Sequence, residues 1–297
     1  MQAANREPHR FSVAIPASVV SDTPHLREKT AKLGSIARAC SIFGVNEIIV
    51  YPDNPQQSQD TDAKLCAEIL QYLETPQYLR KRLFKLSPEL RFIGILPPLQ
   101  TPHHNVPRSK SAVKAGDLRE GIVTSRSGHS LKIDAGLEET VSTTGDNRTG
   151  ERVTLRLVRV QEELQGEIVD ASKISIPGGN MRPIYWGYRV YKAKSLGRIL
   201  SQQRWELKVG TSRYGTPIQE ALPFLSEGIK TSRSMLIAFG SPKMGLGEIL
   251  EKEKLDPNGA FQYFVNTVPD QQTATVRTEE AIFVSLGILN LAAKLAG

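Results

Sequence analysis

The sequence predicts an α/β fold, a parallel sheet flanked by helices, interrupted by a small β-barrel. Three observations carry this prediction. Strand-like apolar runs alternate with segments of helical period over residues 11–96. Five short strand-like runs with turn signals and no helical stretch then follow within about sixty residues. The last third of the chain holds two strand–loop–helix units whose loops carry glycine and proline. The expected domains are residues 1–99 together with 181–297, and an insertion over 100–180.

Residues 1–10 are polar and expected to fray. Phe11 to Val20 suits a strand with Pro16 marking a bulge or an end, and Thr23-Pro24 suits the start of a helix. Leu33, Ile36, Ala37, Cys40 and Phe43 recur at helical spacing until Gly44 stops the run. Asn46 to Tyr51 is the next expected strand. A helix capped within Asp60 to Asp62 follows, turning Leu65, Ile69 and Leu73 inward. Arg91 to Leu96 has strand composition, and Pro97-Pro98 opens a linker over Leu99 to Val106. The five short runs are Gly121–Ser125, Ser130–Asp134, Glu139–Ser142, Arg152–Val160 and Gln165–Val169. Their number and spacing suggest an OB-like β-barrel, the oligonucleotide-binding type, although a barrel that binds nothing has the same pattern. Ile176 to Pro183 is the return linker, and strand-like residues resume at Ile184.

In the last third, the apolar run Met235 to Phe239 stops at Gly240, and Gly-Ser-Pro-Lys-Met-Gly-Leu-Gly follows over 240–247. So little side chain leaves backbone amides open to a small molecule, and a helix is expected from Gly247 with Glu248 in its first turn. Phe261 to Val265 is a second strand, 266–272 a loop, and Thr278 the cap of a helix to about Leu295, with Glu279 and Glu280 at its positive end. Two such units make a ligand site at the carboxyl ends of parallel strands. They equally suit two ordinary βα turns, and the residues alone leave both readings open.

Composition bounds the function. No run of eighteen apolar residues and no apolar signal segment occurs in the 297 residues, so neither a membrane span nor secretion is expected. Cys40 and Cys66 lie in no paired pattern, which fits a reducing intracellular compartment and no disulfide or metal site. The glycine loop lacks the Lys-Ser/Thr of a nucleotide-hydrolysing P-loop, since Leu246-Gly247 stands there, and it lacks the dinucleotide spacing. The net charge of +7 equals that of residues 181–213 alone, with eight basic residues and one acidic. Arg182, Arg189, Lys192, Lys194 and Arg198 are the candidate RNA contacts there, interleaved with Tyr185, Trp186, Tyr188, Tyr191 and Trp205. A half-buried strand whose rings are core has the same composition.

Three stretches together carry a family resemblance. Leu33-Gly-Ser-Ile-Ala-Arg-Ala-Cys-Ser-Ile-Phe-Gly44, Phe239-Gly-Ser-Pro-Lys-Met-Gly-Leu246 and Val265 to Asn290 resemble the three ordered motifs of the SPOUT, or α/β-knot, RNA methyltransferases. The intervening β-module is similar to that of the archaeal and eukaryotic subgroup with an OB-like domain. The resemblance implies a SPOUT-type sheet with a C-terminal trefoil knot, S-adenosylmethionine as cofactor, RNA as substrate and a homodimer. It further implies that Gly240, Gly245, Leu246, Gly247, Asn266, Thr267, Val268, Pro269, Thr275 and Val276 hold the cofactor, and that Arg38 is the catalytic arginine. Where ribose-methylating members carry Ser-Leu-Asn, this chain has Ala274-Thr-Val-Arg277, and the first-motif asparagine is absent before Gly34. Methylation of a base nitrogen, uridine N3 above others, is therefore expected, with ribosomal or other structured RNA as the substrate and the nucleus or nucleolus as its place in a eukaryotic cell. The rival expectation is an inactive RNA-binding scaffold that keeps the fold.

Overall fold

The computed structural model describes residues 10–104, 109–159, 163–173 and 184–295. The expected frayed start (residues 1–9), the return linker over 176–183 and residues 105–106 of the first linker lie outside these. In chain order the elements are strand β1 (Arg10–Pro16), helix α1 (Leu26–Ile42), β2 (Glu47–Tyr51), α2 (Asp60–Glu74), α3 (Gln77–Leu83), β3 (Leu118–Ser127), β4 (Ser130–Asp134), β5 (Val141–Thr144), β6 (Arg152–Arg159) and β7 (Gln165–Ile168). They continue with β8 (Arg189–Lys192), α4 (Leu196–Leu200), β9 (Leu207–Pro217), α5 (Ile218–Thr231), β10 (Ser234–Ala238), α6 (Leu246–Lys252), α7 (Pro257–Ala260), β11 (Tyr263–Asn266) and α8 (Thr278–Leu295). The described residues fall into two compact units, one within 1–74, 87–98 and 187–297, the other within 75–86 and 99–186. Residues 75–86, with α3, thus group with the barrel rather than with the sheet.

The first unit is a six-stranded, wholly parallel sheet of order β11-β9-β10-β1-β2-β8. Its inner strands are continuous buried runs, Val13-Ala14-Ile15, Ile48 to Tyr51 and Leu236-Ile237-Ala238, as burial on both faces demands. Ala14, Ile49, Tyr51 and Leu236 share one core with Leu196 of α4 and Ile249 of α6. By the two-residue alternation of strands, Val13, Ile48, Val50 and Ile237 point to the opposite face. Helix α1 packs on α2 and α8, and α8 on α5. No helix among the described residues is long and apolar enough to cross a membrane.

Two expectations fail in this unit. Arg91 to Leu96 is not a strand; Pro88–Leu90 and Ile93–Ile95 form single 3₁₀ turns. The sheet position beside β2 is filled by β8, with Glu47 opposite Arg189 and Val50 opposite Lys192. The apolar segment packs on α1 instead, where a Cβ on Gly34 would lie 2.6 Å from Leu96. That contact explains a glycine inside α1, which costs about 1 kcal/mol of helix propensity against alanine. Nor do Thr23-Pro24 start the helix, because α1 opens at Leu26 behind His25, with no side-chain cap.

The second unit is a closed five-stranded barrel of order β3-β4-β5-β7-β6, antiparallel except for the β5–β7 pair. Val123, Leu131, Ile133, Val141, Leu155 and Leu157 fill it. Helix α3 is fastened there by the Tyr78 hydroxyl, which donates to the Glu120 carbonyl at 2.9 Å, and by the Arg82–Asp134 ion pair. The Tyr78 ring lies over Gly136, whose φ of +71° and lack of Cβ both suit that contact. Buried Glu120 accepts from Arg152, Thr154 and the Trp186 indole, each at 2.5 Å, so its charge is fully paired.

Candidate functional site

Three neighbouring strands, β10, β9 and β11, end side by side, and the loops that leave them form the candidate site. Phe239, just past β10, is held from both sides. Its N–H donates to the Ala14 carbonyl at 3.0 Å, and its carbonyl accepts from the Tyr51 hydroxyl at 2.6 Å. Tyr51 is fully buried, and burial, reinforced by the Asp53 and Glu253 carboxylates, pushes its phenol well above the ordinary tyrosine range. It remains a neutral donor that fixes where the glycine loop begins.

The loop then closes on itself. Ser241 N–H donates to the Met244 carbonyl at 2.8 Å, and Met244 N–H to the Ser241 hydroxyl at 3.0 Å. A Cβ on Gly240 would come within 3.0 Å of the Met244 carbonyl and 3.1 Å of Leu246 N, so a side chain here would crowd the loop's own backbone. Gly245 and Gly247 differ, since a Cβ at either would meet no protein atom within 4 Å. The Cα side of each is open to close approach by a ligand, although the Gly245 N–H and carbonyl are themselves paired, with Glu248 Oε2 and Ile249 N–H. Leu246 between them is buried in the core beneath, and only its main chain faces the loop. Gly245 N–H donates to Glu248 Oε2 at 2.9 Å, which fixes the first turn of α6.

The loop after β11 is braced by side chains. Asn266 Nδ2 donates to the Arg213 carbonyl of β9 at 3.0 Å, while its Oδ1 accepts from Val268 N–H at 3.0 Å. Buried Thr267 shares a 2.8 Å hydroxyl–hydroxyl bond with Ser285 of α8. Val268 and Pro269 are half-buried, Thr275 is exposed, and Val276 is half-buried just before α8. The two loops meet where the Thr278 hydroxyl donates to the Gly240 carbonyl at 3.3 Å. Sequence-predicted Gly240, Gly245, Leu246, Gly247 and Asn266 to Pro269 are thereby gathered at one end of the sheet. Asn266 spends both polar ends on the protein, which makes it a brace for its neighbours.

Arg38 is not gathered there. Helix α1 begins beyond the carboxyl end of β1 and runs back along the sheet, and residue 38 lies roughly 18 Å along its axis. Shortly after, Asn46 clasps Phe11 at the amino end of β1 through two hydrogen bonds of 2.8 and 2.9 Å. Exposed Arg38 therefore sits toward the opposite edge of the sheet from the loops of its own chain.

Arg189, Lys192, Lys194 and Arg198 are all exposed, on β8 and the start of α4; Arg182 lies outside the described residues. Strand β8 is the sheet's far edge, three strands and about 14 Å from β10. Lys192, Lys194 and Arg198 follow its carboxyl end, whereas Arg189 begins the strand. Of the interleaved aromatics, Tyr188 and Trp205 are core, donating to the Leu70 carbonyl and the Ser12 hydroxyl at 3.0 Å each. Tyr191 is 41% exposed. Sequence reasoning missed Tyr51, whose role depends on a partner 188 positions away, and the end of β9, where Gly210 and Gly215 in a strand-like run were the available signal.

Comparison with known proteins supplies the class of chemistry. A family model described as "Putative RNA methyltransferase" matches residues 10–289. A human protein named 28S rRNA (uridine-N(3))-methyltransferase is 33% identical over 95% of this chain and 78% of its own length. A protein of that name from Drosophila melanogaster is 33% identical over 95% of this chain and 62% of its own. An uncharacterized protein from Haloarcula marismortui is 33% identical over 94% of this chain and 98% of its own. Among solved structures, a SpoU methyltransferase from Streptomyces viridochromogenes aligns over 97% of this chain and 61% of that one, at 10% identity and a TM-score of 0.35. With the family match spanning nearly the whole chain, this protein belongs to that RNA methyltransferase family.

Proposed function

We propose that the protein methylates N3 of a uridine in ribosomal RNA, with S-adenosylmethionine as methyl donor. The observation that carries this reading is 33% identity over 95% of the chain to a uridine-N3 methyltransferase. The glycine loop fits the cofactor, because Gly245 and Gly247 put no side chain between the backbone and a ligand and Gly240 lets the loop fold under them. Bound there, S-adenosylmethionine supplies an electrophilic methyl group. Backbone groups of 240–247 and 266–269, with Thr275 and Val276, hold it, and Asn266 and Thr267 keep the second loop in place.

The choice of a ring nitrogen follows from what the chain lacks. Carbon-5 methylation calls for a thiolate to activate the pyrimidine, and Cys40 and Cys66 are fully buried, with burial pushing both thiols far above the ordinary range. An imide N–H between two carbonyls loses its proton most readily among neutral bases. Arg38 offers two parallel donors to the charge that develops on those oxygens. Because Arg38 lies away from the loops of its own chain, a second copy supplies it. We therefore propose a homodimer, formed through the helix layer where α1 and α8 pack together and leave Ile42, Val284, Leu291 and Leu295 at 40–63% exposure.

The proposed layout keeps 1–99 with 181–297 as the methyltransferase domain, its last third threaded as a trefoil knot, and 100–180 as an OB-type barrel; the barrel and the basic residues of 189–198 each contact RNA. Such an enzyme works inside the cell, in the nucleus or nucleolus where there is one. The test is incubation of the protein with ribosomal RNA and methyl-labelled cofactor, followed by digestion and mass spectrometry of the nucleosides. Label in 3-methyluridine is expected; label in 2′-O-methyl or 5-methyl nucleosides, or none, would overturn the reading. Light scattering should give the mass of two chains.

A further inference from the structure

Strand β9 leaves its neighbour's register at the site. Gly210 pairs with Phe264 and Thr216 with the next residue, Val265, so residues 211–215 bulge out opposite a single peptide step of β11. The bulge is built. The Thr211 hydroxyl donates to the Ala238 carbonyl at 3.0 Å, Asn266 Nδ2 to the Arg213 carbonyl at 3.0 Å, and Tyr214 N–H to the Ser212 hydroxyl at 3.2 Å. At its foot a Cβ on Gly215 would lie 2.6 Å from the carbonyl carbon of Val265, so glycine alone closes it. Its tip carries Tyr214, 80% exposed, with the Arg213 guanidinium 4.6 Å from the ring centroid.

A large ring left in water on a segment pinned at two points, with one further hydrogen bond inside it, contributes nothing to the core. Since β9 runs between β10 and β11, the tip stands between the two loops assigned to the cofactor. We infer that Tyr214 and Arg213 form a stacking platform for the single-stranded RNA segment that carries the target base. This rests on the methyltransferase reading. One ring face is occupied by the guanidinium and the other is open to an unstacked base. Arg213 keeps its outward N–H groups for a phosphate, and a base methylated on its pairing edge must first leave its helix. Asn266 joins this platform to the cofactor loop through its two hydrogen bonds.

Fluorescence anisotropy of the full chain with a uridine-containing single-stranded oligoribonucleotide tests the inference, alongside calorimetry with S-adenosylmethionine. Tyr214→Ala should weaken RNA binding about tenfold with cofactor affinity unchanged, and Tyr214→Phe should retain it, because stacking needs the ring and not the hydroxyl. Arg213→Ala should lower the slope of log affinity against log salt by about 0.7, the value for one single-strand phosphate contact. Unchanged RNA affinity in Tyr214→Ala, an equal loss in Tyr214→Phe, or a parallel loss of cofactor binding would overturn it, the last marking the bulge as structural. A wild-type chain that does not bind the oligoribonucleotide would overturn it too. Binding without methylation counts against the transferase reading alone.

Discussion

The loops after β10 and β11 meet at Thr278, yet they are specified in opposite ways. The first is shaped by missing side chains, with Gly240 folded under its own backbone and Gly245 and Gly247 bare on the outside. The second is held by side chains that are present, Asn266 reaching β9 and its own loop, and Thr267 reaching Ser285. A glycine loop lets a ligand come close but has little to stiffen it, whereas a braced loop is rigid and offers fewer bare amides. Placed side by side, one supplies contact and the other supplies position.

Six substitutions break or sharpen this contrast. The largest effect is expected within the glycine loop, where Gly245→Val should cut S-adenosylmethionine affinity by at least about a hundredfold, by holding the ligand off the backbone, while costing no more than about 1 kcal/mol of stability for the poorer N-cap of α6. Gly240→Val should destabilise the fold by about 1–3 kcal/mol, since its Cβ crowds main-chain atoms at 3.0–3.2 Å. Calorimetry and urea unfolding of the pair separate a ligand-facing glycine from a loop-forming one.

Next, Asn266→Ala should cost about 1–3 kcal/mol and weaken both cofactor and RNA binding, because two braced segments lose one tie. Asn266→Asp keeps the acceptor for Val268 N–H but replaces the donor to Arg213 by a carboxylate oxygen facing its carbonyl, so cofactor affinity should survive better than RNA affinity. Equal losses in both assays would show that the two ties are not separable. Smaller again, Thr267→Val leaves the buried Ser285 hydroxyl unpaired and should cost about 1–2 kcal/mol in chemical unfolding.

The smallest effect concerns the start of α8, where Lys32 lies 2.7 Å from Asp22 and 3.3 Å from Glu279. Partial burial pushes Asp22 up, but the Lys32 ammonium outweighs it and holds the carboxyl below its ordinary range. The contribution of this pair is present above the ordinary aspartate value and is lost as the pH falls through the depressed one. Asp22→Asn should thus cost less than about 1 kcal/mol near pH 7, given solvent screening, and nothing in strong acid. Urea unfolding at both pH values checks the sign.

Much of this was legible in the sequence, for local reasons. Continuous apolar runs marked β1, β2 and β10, Gly240 marked where β10 stops, and Thr278 with Glu279 and Glu280 marked the start of α8. The five barrel strands were visible because each is short and bounded by turn residues. What was not legible depends on distant partners. Phe92-Ile-Gly-Ile-Leu96 has the composition of a strand, but the place beside β2 goes to a segment beyond the barrel. Motif matching named Arg38 without showing that α1 carries it away from the loops. The bulge over 211–215 is fixed by Asn266 and Val265, and within β9 only Gly210 and Gly215 hint at where its register shifts. Asn266 was singled out as a cofactor residue because its position is visible in sequence and its two hydrogen bonds are not.

The strand order also sets the sequence of events during synthesis. Ser12 pairs with Glu47 on one side and Leu236 on the other, and Trp205 bonds to Ser12 across 193 positions. Strand β1 can gain β2 as a neighbour early, but its other edge stays unpaired until β10, more than 200 positions later, has been made. Such long-range closure makes folding slow and leaves Phe11 to Ile15 exposed as a template for mispairing meanwhile. The nascent chain is therefore at greatest risk of aggregation before β10 arrives, and that strand, once in place between β1 and β9, is what seals the sheet.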